Sequence, residues 1–206
     1  MTQMQGSKIF AKTCQKYFEE VCRTDFLMRA EILGLEVEKQ ALVIPLYDQF
    51  YFFSSDGIGA SGGEEVSPAV QVMICKYILT CSFTTLPPLN NDLVTYRELK
   101  DSGPLTSYFT SNTNKTIEVT FAGNVARLRE RAQQIGGKIV DSSMYDLAVQ
   151  FFAFPRIPVF LNFNAQDDSF PAICSVLYHA SASQFLDMES LAMTGTLLTG
   201  KLLSFQ

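Results

Sequence analysis

Apolar positions recur with helical spacing in two segments of the N-terminal half. Between residues 8 and 33 they return every three to four positions, which predicts a helix that ends at Gly34 in a left-handed conformation. Ser67 followed by Pro68 predicts the start of a second helix, because serine caps a helix and proline suits its first turn. That helix, extending to about Phe83, is apolar on nearly all sides, which indicates a position in the core.

The segment between these helices has the period of two that is typical of strands. Residues 35–53 alternate around a polar break at 47–49, which predicts a β-hairpin. Pro45 inside this segment indicates an edge strand or a bulge, because proline cannot donate to the strand ladder. The glycine-rich residues 56–63 are expected to form a loop.

The second half of the chain contains short helical segments and then strands. The patterns predict helices over 107–111, 116–122 and 125–135, strands over 147–154, 159–163 and 172–178, and a closing helix over 187–203. Strands this close together in sequence favour an antiparallel meander. We therefore predict a single α+β domain over residues 1–206, in which helices cover an antiparallel sheet made of the N-terminal hairpin and the C-terminal three-strand meander.

The net charge of the chain excludes one class of function. The 206 residues include 16 basic and 21 acidic side chains, a net charge of −5. A nucleic-acid-binding protein needs a basic face, so we expect no nucleic-acid partner. No apolar run reaches the roughly 18 residues that span a bilayer, and the N-terminus does not resemble a secretory signal. We expect a cytoplasmic protein without a membrane partner.

Cysteine and histidine limit the chemistry further. The five cysteines are odd in number and form no Cys-x-x-Cys pair, so neither a disulfide framework nor a local zinc or iron–sulfur motif is predicted. We expect buried, reduced thiols. His179 is the single histidine, so any triad-type catalysis would depend on it, although a histidine at a strand end is more often structural.

Two loops of the C-terminal half contain the candidate chemistry. Pro155 and Pro158 enclose Arg156, which would present a rigid guanidinium to an anion, or would instead pair with a carboxylate such as Asp167 or Glu189. Asp167 and Asp168 would bind a hard cation or share a proton, or would simply stabilise a solvated turn. The sequence leaves both alternatives open.

Several segments in order resemble the prokaryotic family called domain of unknown function 3786. The resemblance is carried by the proline-enclosed arginine, the acidic turn 167–172 and the helix start around Glu189, and upstream by residues 66–69, 96–99 and 136–140. It covers about residues 35–203 and leaves 1–34 as an N-terminal helix. Some relatives have an iron–sulfur-type segment before the domain, and members tend to come from anaerobes with corrinoid or one-carbon metabolism. The resemblance therefore implies an accessory role in such metabolism.

This chain departs from the family pattern at three places. It has no cysteine cluster, His179 stands where the family has an acid, and Ser190 replaces the acid after Glu189. The polar positions that match are Arg97, Glu98, Arg156, Asp167, Asp168 and Glu189, and together with His179 they are the candidate ligand-binding residues. No cofactor is identified by these residues, and no metal site is predicted.

Two hypotheses about function follow. The first is a non-catalytic binding or accessory module for a partner protein or a small ligand, because no nucleophile–base pair is evident. The alternative is a metal- or anion-dependent enzyme that uses Arg156 with Asp167, Asp168 and Glu189. Convergence of these side chains in one cleft would favour the enzyme. A homodimer formed through an edge strand of the first hairpin is compatible with both.

Overall fold

The computed structural model of the protein describes residues 2–80 and 85–204, with side chains described from residue 11 onward. The helices are α1 (Thr2–Cys22), α2 (Ala30–Leu33), α3 (Pro68–Thr80), α4 (Thr106–Phe109), α5 (Thr116–Phe121), α6 (Val125–Gln134) and α7 (Met188–Leu203). The strands are β1 (Glu36–Glu38), β2 (Ala41–Leu46), β3 (Gln49–Ser54), β4 (Gly57–Ala60), β5 (Leu93–Thr95), β6 (Lys138–Val140), β7 (Leu147–Phe154), β8 (Ile157–Asn164) and β9 (Ile173–His179). These elements confirm an α+β fold with antiparallel sheets.

The N-terminal helix is shorter than predicted. Instead of one helix to residue 33, α1 ends at Cys22, and a 3-10 turn (Phe26–Arg29) leads into α2. The break follows from Thr24, whose backbone N–H and hydroxyl both donate to the carbonyl of Val21, which closes the last turn of α1. Gly34 has the predicted left-handed conformation, with a φ of 70°.

The second predicted helix begins where expected. Ser67 Oγ accepts a hydrogen bond from the N–H of Val70 at 3.4 Å, and Pro68 is the first residue of α3. The predicted end near Phe83 lies outside the described residues.

The predicted hairpin is part of a four-stranded meander with the order β1-β2-β3-β4. Residues 57–60 were expected in a loop but form β4, which pairs with β3 from Ser54↔Gly57 to Tyr51↔Ala60. The N–H of Asp56 donates to Ser54 Oγ, which closes a turn tight enough to bring the glycine-rich segment back against β3. Pro45 lies beyond Val43, the last residue of β2 that pairs with β1, at an edge position.

A second sheet of five antiparallel strands has the order β5-β9-β8-β7-β6. Its centre is the predicted meander, in which β8 pairs with β7 through Val149↔Leu161 and with β9 through Leu161↔Val176. The edge strands β5 and β6 were not predicted, because three residues are too few to establish a period of two.

Helices α4 to α7 pack on one face of this sheet. Side chains cap two of these helices: Asn124 Oδ1 accepts from the N–H of Arg127, and Asp187 Oδ1 accepts from the N–H of Ser190, each within 2.9 Å. Between α4 and α5 the chain forms a π-helical segment (Thr110–Lys115). Buried aromatic and aliphatic residues from the sheets and the helices form one continuous core.

The two sheets are joined at the β2–β3 turn. The N–H of Tyr47 lies 3.2 Å from the carbonyl oxygens of Phe152 and Ala153, at the irregularity where the β7–β8 register shifts. The hydroxyl of Tyr47 donates to the carbonyl of Thr194 on α7 at 2.8 Å. These contacts hold Tyr47 in a left-handed conformation with a φ of 56°, which a bulky residue rarely adopts. Within the described residues, no helix has the length and apolar character needed to cross a membrane.

Candidate functional site

Arg156 lies in the β7–β8 turn, where its side chain forms structural hydrogen bonds. Its Nε donates to the carbonyl of Ile32 at 2.8 Å, and a terminal nitrogen donates to the carbonyl of Glu31 at 3.1 Å. The side chain therefore caps the carboxyl end of α2, where carbonyls lack partners and a cation is favoured. The carboxylate partners considered from the sequence, Asp167 and Glu189, are not its partners.

The neighbouring contacts explain why the arginine adopts this position. The hydroxyl of Tyr77 on α3 donates to the carbonyl of Leu33 at 2.7 Å and accepts from the N–H of Arg156 at 3.2 Å. The Tyr77 ring stacks on Phe154 with 4.3 Å between ring centroids. A Cβ at Gly34 would lie 3.1 Å from Pro155, and the backbone there has a left-handed φ of 70°, so glycine is favoured on both grounds.

Asp167 forms a local turn after β8. Its Oδ1 accepts from the N–H groups of Ser169 and Phe170 at 2.7 and 2.8 Å, which is the pattern of an Asx turn. Asp168 is exposed in the same loop. The contacts of Asp167 therefore match the alternative in which this residue stabilises a solvated turn.

The candidate residues lie at opposite ends of the sheet. Arg156 precedes β8 and Asp167 follows it, and the eight residues of that strand span about 26 Å at the usual rise per residue. Because β9 is antiparallel to β8, His179 lies at the Arg156 end. The cluster of arginine and carboxylates that the enzyme hypothesis needs is not assembled.

Arg97 and Glu98 belong to a 3-10 turn (Tyr96–Glu98) after β5. Glu98 Oε2 accepts from the N–H and the hydroxyl of Thr95 at 2.8 and 2.7 Å. Both donors lower the pKa of the fully exposed Glu98 carboxyl, and the hydroxyl has the larger effect. Its contacts are those of a capping residue.

Glu189 lies in the first turn of α7, close to the Tyr96–Glu98 turn. The hydroxyl of Tyr96 donates to the carbonyl of Met188 at 2.8 Å. Burial, together with the negative charges of Asp187 and Glu189, raises the pKa of Tyr96 to about 12. The structure thus brings the segment with Arg97 and Glu98 near Glu189, on the helical side of the sheet.

An ion pair at the start of α7 was not predicted from the sequence. Lys76 Nζ lies 3.1 Å from Asp187 Oδ2 and 4.2 Å from the centroid of the Tyr17 ring, so the pair joins α1, α3 and α7. Burial alone would raise the pKa of Asp187, but the N–H of Ser190 and the ammonium of Lys76 outweigh it and lower the pKa. Lys76 is the one charged residue of α3, which was the sequence signal for this contact.

The described cysteines are free thiols, and metal-ligating side chains do not gather around them. Cys14, Cys75 and Cys174 are buried and Cys22 is half-buried, whereas Cys81 lies outside the described residues. Burial is the main cause that raises the pKa of Cys75 to about 12, which leaves little thiolate at neutral pH. Within residues 2–80 and 85–204, no three His, Cys, Asp or Glu side chains are grouped closely enough to hold a metal ion.

The second feature that sequence analysis missed is the face of the five-stranded sheet opposite the helices, which we call the outer face. The inward side chains of β7, β8 and β9, such as Phe151, Leu161 and Val176, are buried under α4 to α7. The alternate positions point outward. The outward side chains are Leu93, Thr95, Lys138, Val140, Ala148, Gln150, Phe152, Pro158, Phe160, Asn162, Asn164, Ile173, Ser175, Leu177 and His179.

The outer face is apolar at the end near the β7–β8 turn, polar at Gln150, Asn162 and Ser175, and has one charged residue, Lys138, among the residues just named. Phe152 pairs across the strands with Pro158, and Phe160 pairs with Leu177. Phe152 is 43% exposed. The ring of His179 lies 5.4 Å from that of Phe160, and burial lowers the pKa of His179, so the imidazole is mainly neutral at pH 7. His179 is the one candidate residue on this surface.

The fold and these surfaces define an α+β protein whose five-stranded sheet has helices on one face and, on the other, an open surface of apolar and uncharged polar side chains with one lysine. The model of the family described as domain of unknown function (DUF3786) matches residues 25–201, so the chain belongs to this family. The match begins ten residues before the predicted boundary of 35, at the turn that precedes α2, and leaves α1 outside. No curated protein and no solved structure matches the chain.

Proposed function

We propose that the protein is a non-catalytic binding module that recognises another protein through the outer face of its five-stranded sheet. The observation that carries the proposal is the combination of exposed aromatic and aliphatic side chains with the absence of acidic ones on that face. The chain has 21 acidic residues, yet the outward positions of these strands contain none of them.

Folding of the chain does not require this composition. An antiparallel sheet with one face on the core usually carries polar residues on the other face, because they remain solvated. Aromatic enrichment and charge depletion are instead the features that distinguish the centre of protein interfaces. Phe152, Phe160 and Leu177 have the chemistry expected of side chains that a partner covers.

The physiological setting is proposed on family membership. The resemblance implies an accessory role in anaerobic redox or in corrinoid and one-carbon metabolism, so we propose that the partner belongs to such a system. Free, buried thiols support a reducing, cytoplasmic setting. A small-molecule ligand is the weaker alternative, because a broad sheet face is not the concave pocket that such ligands prefer.

The enzyme alternative has less support from the geometry. It needs Arg156 and the Asp167–Asp168 pair in one cleft, whereas β8 separates them and the guanidinium already binds carbonyls of α2. The binding module requires no such convergence. We therefore propose binding rather than catalysis.

Photo-cross-linking in growing cells tests the proposal. A benzophenone amino acid replaces Phe152 on the outer face, and in a matched control it replaces Val119, which is 80% exposed on α5. We expect a discrete protein cross-link from position 152 that position 119 does not give. Absence of a cross-link at 152, or the same product from both positions, contradicts the proposal.

A further inference from the structure

We infer that the protein on the outer face is a second copy of this chain, so that two chains pack sheet against sheet around a twofold axis. This inference rests on the proposed function and names the partner of the same surface. It concerns the face of the second sheet, and differs from pairing through an edge strand of the first hairpin.

The position of the apolar residues in the strand order suits such an axis. β8 is the central strand of five, with β9 on one side and β7 on the other. A twofold axis along β8 places each Phe160 against its counterpart and lays β7 over the partner's β9. Phe152 of one chain then lies over the neutral His179 of the other, and Gln150 lies over Leu177, so uncharged side chains meet uncharged side chains.

Charge favours the same arrangement. Two chains with a net charge of −5 repel each other unless the surfaces that meet lack acidic groups. The outward positions of the sheet meet that condition. Lys138 lies on the edge strand β6, at the rim, where its ammonium stays solvated.

Area and shape are also adequate. Five strands about 4.8 Å apart, with central strands about 26 Å long, give a face of at most roughly 600 Å². Two such faces together come to at most roughly 1,200 Å², which is the low end for specific interfaces, so a dimer would need the whole face, and one added strand or peptide would leave it largely exposed. Two sheets of identical twist pack face to face at a small angle, and a second copy supplies that twist.

The mass of the full chain in solution tests the inference. By sedimentation velocity between about 1 and 100 µM, the range in which a micromolar dimer dissociates, we expect the unmodified protein to approach twice its mass of 23.0 kDa. Phe160→Asp should remain monomeric throughout, with an unchanged circular dichroism spectrum, because it places two carboxylates together at the axis. Val119→Asp, the control on α5, should dimerise like the unmodified chain.

A second measurement covers the case in which Phe160→Asp fails to fold. Phe160→Cys treated with a short bismaleimide should give a dimer linked through position 160, whereas Val119→Cys and the unmodified chain with its native cysteines should not. A monomeric unmodified chain, a dimer that persists in folded Phe160→Asp, or equal cross-linking from both cysteine variants overturns the inference.

The two proposals fail differently. If the chain is monomeric but the benzophenone at position 152 captures a different protein, the homodimer is wrong and the binding function stands. If position 152 captures nothing, the binding function itself is wrong. A captured product that contains peptides of this chain alone supports both.

Discussion

The two faces of the five-stranded sheet are made from alternate residues of the same strands, yet they differ in composition and in contacts. On β8, Val159, Leu161 and Phe163 are fully buried against the helices, while Phe160 between them is partly exposed. Burial of the inward residues stabilises a single chain, and this explains why they are apolar. The outward aromatic residues are not, so the contrast directs the search for function to the outer face.

The sharpest test of this contrast is a matched pair of substitutions on β8. Phe163→Ala should lower the free energy of unfolding by about 3–5 kcal/mol, because it leaves a cavity in the core. Phe160→Ala should lower it by about 1 kcal/mol or less, because its ring is partly solvated. Urea denaturation of dilute protein measures both changes without a contribution from association. Equal losses would mean that the outer face is covered within one chain, and the contrast would fail.

The next test concerns residues 173–176 of β9, which do not pair with β5. Glu118 is buried, and its Oε1 accepts from the N–H of Cys174 at 3.0 Å, beyond the residues of β9 that pair with β5. Its Oε2 accepts from Lys115 Nζ at 2.6 Å. Glu118→Ala should lower the free energy of unfolding by about 1–3 kcal/mol, because the Cys174 N–H loses its partner.

Hydrogen exchange provides the control for that substitution. The Cys174 amide should exchange faster in Glu118→Ala, whereas the central pair Leu161↔Val176 should stay protected. An unchanged Cys174 amide would show that another group closes the edge of the sheet.

A third test addresses the helix that covers the inward face. Asp187→Ala removes the cap of α7 and should cost about 0.5–2 kcal/mol at pH 7. Asp187→Asn keeps a capping side chain but loses the charge opposite Lys76, so it should cost less, since the half-exposed pair is screened by solvent. Urea denaturation at several pH values measures both.

The dependence on pH gives the sign of the electrostatic part. Burial raises the pKa of Asp187, but Ser190 and Lys76 outweigh it and the folded-state pKa is lowered. The charge therefore stabilises the fold above the unfolded-state pKa of about 4, and this contribution is lost as the pH falls through the folded-state value. The difference between Asp187→Asn and the unmodified chain should vanish in acid. A difference that does not change with pH would show that the lost stability comes from the cap and not from the charge.

The smallest expected effect is in the loop after β8, which belongs to neither face. Asp168→Ala should change the free energy of unfolding by no more than about 0.5 kcal/mol, because the side chain is exposed. Asp167→Ala, its matched neighbour, loses two hydrogen bonds and should cost more. A loss of several kcal/mol for Asp168→Ala would instead place that residue in a structural ion-pair network.

Much of the fold was predictable because its signals are local. The caps Ser67, Asn124 and Asp187 and the left-handed Gly34 each act within a few residues of their own position. The long strands β7 and β9 were predicted by composition over seven or eight residues. The strands β5 and β6 were missed because a three-residue strand forms where a neighbouring strand offers partners, which the local sequence does not encode.

The candidate site was harder to predict because it depends on distant contacts. The sequence offered Arg156 a carboxylate, but the turn instead places its guanidinium on carbonyls more than a hundred residues earlier in the chain. Asp187 was predicted only as the start of the closing helix, and its partner Lys76 could be assigned only once α1, α3 and α7 were packed together. The outer face was not predicted, because β8 has apolar residues on both sides and the sequence does not show which side stays uncovered.

The amino-acid sequence alone determined the family, the α+β class and the positions of most turns and caps, because these depend on hydrophobic period and short-range hydrogen bonds. Tertiary structure alone decided which candidate residues meet, which charges are paired and which face of the central sheet stays open. A strand with apolar residues on both sides can bury either one, and the choice is made when the helices pack on one of them.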